Sequence, residues 1–145
     1  MTLLSPSASS VPTTATFDHV LEKVRYEGVY PTRQHAQDVV RRVLEVLGRQ
    51  LTGDERVELA GRLPQEAADY LTSQAPTVGP LTGWGFVKDL AERTGGNLAT
   101  TRWDTGSVLS IIARLAGEDL TTRIIGQLPD GYALLFGRAQ LARAA

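Results

Sequence analysis

The chain repeats itself, and the repeat restricts its folds more than any other feature does. Phe17, Leu21 and Val29 recur at one constant offset as Phe86, Leu90 and Leu98, and the pair Thr32-Arg33 recurs at that same offset as Thr101-Arg102. Leu51-Thr52-Gly53-Asp54-Glu55 returns at a shorter offset as Leu115-Ala116-Gly117-Glu118-Asp119. Leu59-Ala60-Gly61-Arg62-Leu63-Pro64 returns, one position further on, as Ile124-Ile125-Gly126-Gln127-Leu128-Pro129. A unit of this length does not bury its apolar face well alone, so the copies are expected to share one core. The shortening of the offset predicts that the second copy has lost five residues between Arg102 and Leu115. At a helical rise of about 1.5 Å per residue, its second helix would be shorter by about 7 Å.

Each copy reads as four helices. Phe17, Val20, Leu21 and Val24 are spaced for a short amphipathic helix over 17–25, closed by Gly28 and Pro31. Ala36, Val39, Val40, Val43, Leu44, Leu47 and Leu51 form the longest helical stripe, with Asp38, Arg41, Arg42, Glu45 and Arg49 on the solvated face. Thr52 with Glu55 has the form of a capping box opening a third helix. Leu63-Pro64 ends that helix and starts a fourth. The second copy offers Phe86, Val87, Leu90 and Ala91, stopped by Gly95-Gly96, then Val108 to Leu115 as the most buried helix. Leu120, Ile124 and Leu128 mark its third helix, and Pro129 opens a fourth with Tyr132, Leu135 and Phe136. The expected organisation is a disordered tail over 1–16, a first repeat over 17–75, a connector over 76–85 and a second repeat over 86–140, all in one compact all-α bundle.

Composition closes off several classes of function. With no cysteine, disulfides, thiolate metal sites and cysteine nucleophiles are excluded. A net charge of −1 is not the basic excess of a nucleic-acid binder, so no nucleic-acid partner is expected. No apolar run is long enough for a membrane span, and residues 1–16 lack the basic and apolar regions of a secretory signal, so a cytoplasmic location without a membrane partner is expected. Thirteen of the 15 cations are arginine, which with the abundant alanine and glycine suggests a bacterial genome rich in G and C.

A Phe-led short helix, a long Ala/Val/Leu helix, Leu-x-Gly-Asp-Glu and Gly-x-Leu-Pro, twice over, resemble the bacterial family catalogued as domain of unknown function 2267. The likeness runs from about Phe17 to Arg138, closer in the first copy than in the second, where Thr105-Gly106-Ser107 replaces an Ala-rich, Arg-rich helix start. It implies an α-helical fold of two repeats and carries over no catalytic residue.

The polar residues mostly have local roles. His19 with Glu22 and His35 with Asp38 are His-x-x-acid pairs on adjacent helices, but His35 and Asp38 sit beside the apolar stripe, toward solvent, and a surface role is expected rather than a metal site. Gly61 and Gly126 are expected to let helices approach closely. Asp54-Glu55 and Glu118-Asp119 fall in first helical turns, where carboxylates meet the positive end of the macrodipole. No phosphate-binding loop or nucleophile elbow is present, so no catalytic, cofactor-binding or metal-ligating residue is expected. Four residues remain as candidates for partner binding: Trp103 and Tyr132 as aromatic anchors, and Arg33 and Arg102, each preceded by threonine, as anion-binding groups. Phe136 and Trp84 are expected in the core. The expected function is a non-enzymatic module for binding another protein or its own copies. The competing expectation is a small-molecule or metal-binding protein, possibly an enzyme, with a pocket between the repeats.

Overall fold

Helix starts are fixed by local features of the chain. In the computed structural model, which describes residues 16–77 and 79–138, four helices begin at a residue whose side chain accepts the backbone N–H three positions on. Thr16 opens α1 (Phe17–Gly28), Thr32 opens α2 (Arg33–Gln50), Thr82 opens α5 (Gly83–Thr94) and Asn97 opens α6 (Leu98–Ala116). Each cap is extended and satisfies a donor that the helix itself cannot. The remaining helices are α3 (Gly53–Arg62), α4 (Gln65–Thr72), α7 (Glu118–Gln127) and α8 (Tyr132–Leu135). All regular structure among the described residues is helical. None of these helices is long and apolar enough to cross a membrane. The expected tail lies outside the described residues apart from Thr16.

The lengths run 12, 18, 10 and 8 residues in α1 to α4, then 12, 19, 10 and 4 in α5 to α8. The expected shortening of the second copy's long helix is therefore wrong, because α6 is one residue longer than α2. The error lay in register. α1 begins at Phe17 but α5 begins at Gly83, ahead of Phe86, which sets Val20, Leu21 and Val24 against Phe86, Val87 and Leu90, all buried. A slip of three residues is nearly one turn, and it leaves the apolar stripe almost unchanged. Thr101-Arg102 is accordingly no counterpart of Thr32-Arg33: Thr101 is buried within α6, its hydroxyl donating to the Asn97 carbonyl at 2.8 Å.

One core runs through the molecule. α2 and α6 lie at its centre, and between them they touch every other helix. The expected α2 stripe is buried throughout, joined by Val46 and Gly48. Gly48 is required there, since a Cβ would collide with the Leu71 carbonyl at the end of α4. Gly61 and Gly126 need no such explanation: a Cβ at either would meet nothing within 4 Å, so they do not mediate close helix approach.

The capping box expected at Thr52 is also absent. Thr52 is the N-cap of α3 by position, but its side chain makes no capping bond. The carboxamide of Gln127 reaches over from α7 instead, accepting the Thr52 N–H at 2.9 Å and donating to the Thr52 carbonyl at 3.2 Å and to Glu55 at 2.9 Å. In return, Arg62 at the end of α3 donates to the Ala116 carbonyl at the end of α6. Pro129 precedes a turn rather than opening a helix, and α8 begins only at Tyr132.

Candidate functional site

The four residues singled out from sequence do not converge. Tyr132 is only 1% exposed, with its ring edge-on to Phe86 and its hydroxyl donating to the Leu81 carbonyl at 2.9 Å. It is a core residue, and the expectation that it meets a partner is wrong: alternation along so short a helix could not show which face turned inward. Arg33 is exposed but engaged, pairing with Glu22 at 3.2 Å and Asp18 at 4.0 Å on α1. Hydrogen bonds from Arg25 and from Arg33 hold the Glu22 carboxyl below its ordinary pKa. Trp103 and Arg102 remain, adjacent on α6 and both exposed.

Trp103 is 53% exposed yet fixed in place, because its indole N–H donates to the Gly28 carbonyl at the end of α1 at 2.9 Å. The next residue, Val29, is 79% exposed and has φ 55° and ψ 47°. It is the one non-glycine residue with positive φ among the described residues. α1 and α5 end in the same way: the Tyr30 N–H bonds the Arg25 carbonyl at 2.9 Å, and the Gly96 N–H bonds the Ala91 carbonyl at 3.1 Å. The left-handed residue of α5 is Gly95, the ordinary choice, whereas α1 places a β-branched side chain there. Tyr26, one turn back, is 82% exposed. Neither Val29 nor Tyr26 was singled out from sequence, since nothing in Gly28-Val29-Tyr30-Pro31 says which residue takes the left-handed turn.

Behind this corner the chain is pinned. A Cβ on Gly28 would run into the Tyr30 ring. That ring stacks on His35 with centroids 5.0 Å apart, and its hydroxyl donates to Asp104 at 2.7 Å. Burial pushes both groups up in pKa: the Tyr30 phenol well above its usual value, and the Asp104 carboxyl above its ordinary value despite the hydrogen bond from Tyr30 and the nearby charge of Arg42. Trp84, expected in the core, is 57% exposed on α5, while Phe136 is buried as expected.

A second concave feature lies between α2 and α5. Arg41, Arg42 and Arg49 face Arg93 and Thr94 across a groove of about 350 Å³, where the buried Val46 and Leu90 lie at the floor and Gln74 also lines the wall. The sequence shows the α2 arginines but not that α5 supplies a fourth. No group of three or more histidine and acidic side chains able to hold a metal occurs among the described residues.

The family model described as an uncharacterized conserved protein (DUF2267) matches residues 17–135, and the chain belongs to that family. No curated protein matches it.

Proposed function

We propose that this family member is a non-enzymatic interaction module of the bacterial cytoplasm, built from two diverged copies of a four-helix unit, that docks a protein partner at the Trp103–Val29–Arg102 corner. Val29 carries the reading. A non-glycine residue in the left-handed region costs about 1–3 kcal/mol, and strain of this kind tends to gather at ligand clamps and switch regions. The equivalent turn in α5 avoids that cost with Gly95. The fold gives up stability to keep an isopropyl group exposed beside an exposed indole that is already ordered. An ordered tryptophan suits a binding hot spot, because little side-chain freedom is lost when a partner covers it. Arg102, which has no ion pair among the described residues, adds a guanidinium at the edge. The partner is accordingly expected to bring an apolar side chain to Trp103 and Val29 and a carboxylate to Arg102. The near-equal lengths of α1 to α3 and α5 to α7 support the two-copy origin.

Light scattering of the purified protein, with affinity capture from native lysate by wild type and Trp103→Ala in parallel, tests the proposal. A stoichiometric partner or self-assembly retained by wild type and weakened at least tenfold by the variant, with unchanged circular dichroism, is the expected result. A monomer that captures nothing, or equal capture by both proteins, contradicts it.

A further inference from the structure

The groove between α2 and α5 gathers four arginines, two of which, Arg42 and Arg49, have no ion pair among the described residues. Arg41, Arg42, Arg49 and Arg93 line it, with Glu45 as the one carboxylate in the lining. Arg93 is held by Asp89 at 2.6 Å, and Arg41 leans on Asp38 at 3.8 Å. Arg49 meets only the neutral Gln74 amide at 3.1 Å, and Arg42 has no ion pair among the described residues. Arg42 and Arg49 are separated by two turns on one helix face, so their guanidinium groups reach a common space from either end. With four guanidinium groups against one carboxylate, the lining carries a positive excess that a concave surface focuses into the groove. Val46 and Leu90 are buried beneath the groove, and Arg42, Leu90 and Thr94 also border a smaller recess that includes Thr101 and Asp104.

We propose that this groove binds a phosphate-bearing small molecule, with the phosphate held by Arg42 and Arg49. Guanidinium forks match phosphate oxygens in pairs, which a lysine ammonium does not do. The volume suits a ligand of mononucleotide size. A nucleic-acid backbone is the poorer fit, because Asp38 and Glu45 interrupt the basic face of α2.

Titration calorimetry at constant ionic strength, with pyrophosphate, adenosine monophosphate and adenosine as probes, decides the matter. The expected result is saturable one-to-one binding of the monophosphate and of pyrophosphate, and none of adenosine. The double variant Arg42→Gln/Arg49→Gln should lose at least tenfold in affinity while keeping the circular dichroism spectrum of the wild type. Arg25→Gln, outside the groove, should bind as wild type does. The proposal is overturned by the absence of saturable binding, by equal affinity in the double variant, or by a short DNA duplex binding more tightly than the monophosphate through the same two arginines.

Discussion

Glu58 and Arg123 are each the sixth residue of their helices, and they meet face to face between α3 and α7. The guanidinium donates to both carboxylate oxygens, at 2.9 and 3.0 Å. The residues that end these helices behave reciprocally: Gln127 binds the backbone where α2 passes into α3, and Arg62 binds it where α6 passes into α7. The seam between α3 and α7 thus joins residues at the same position in two helices of equal length.

Acid should weaken this seam. The pairing with Arg123 holds the Glu58 carboxyl below its ordinary value of 4.5. A carboxyl with a depressed folded-state pKa contributes stability that is fully present above its unfolded pKa and is lost as pH falls through the folded one. Melting temperature measured from pH 7 to pH 3 should therefore decline below about pH 4.5, and Glu58→Gln should melt lower at pH 7 and decline less steeply. Parallel curves for the two proteins would remove Glu58 from the account.

Gln127→Ala should cost about 1 kcal/mol, the usual worth of hydrogen bonds of this kind, measured by urea unfolding. Thr52→Ala should change stability much less than an N-cap loss ordinarily does, since the Thr52 side chain makes no capping bond. The reverse order of effects would restore the capping box that the sequence suggests.

Two glycine substitutions should have opposite signs. Gly28→Ala places a methyl group in the Tyr30 ring and should destabilise by about 1–3 kcal/mol, the usual cost of overpacking. Gly61→Ala enters open space on a helix and should stabilise by about 0.5 kcal/mol, chiefly by restricting the unfolded chain. Equal effects at the two positions would contradict the packing described.

Helix existence and the α2 stripe could be read from the chain because Ala36 to Leu51 carry a long, regular period, whereas the caps that form, at Thr32 and Asn97 among others, were not picked out and the one expected at Thr52 is absent. Repeat register could not be, since Phe17 aligns with Phe86 almost as well as Val20 does when apolar residues return every turn. The partner-binding candidates fared unevenly for a related reason. Arg102 and Trp103 stay on the surface, but the burial of Tyr132 is settled by Leu81 and Phe86, which lie far from it in the chain. The conformation of Val29 follows from the way α1 ends against α6, which no window of sequence contains.

Val29→Gly should relieve the left-handed strain and raise stability by about 1 kcal/mol. The same change should weaken partner capture by removing an apolar contact. A variant that melts higher and binds less well separates the two roles, and a lower melting temperature would show that no strain is stored there.

The most direct test of the interaction surface is site-specific photo-crosslinking in cells of the native host. A photoreactive amino acid is placed either at position 29 or at position 134, where Leu134 is another exposed apolar residue, 53% exposed and on α8 rather than at the corner. A discrete crosslinked species from position 29 and none from position 134 is the predicted result. No crosslink at 29, or the same species from both positions, contradicts the assignment.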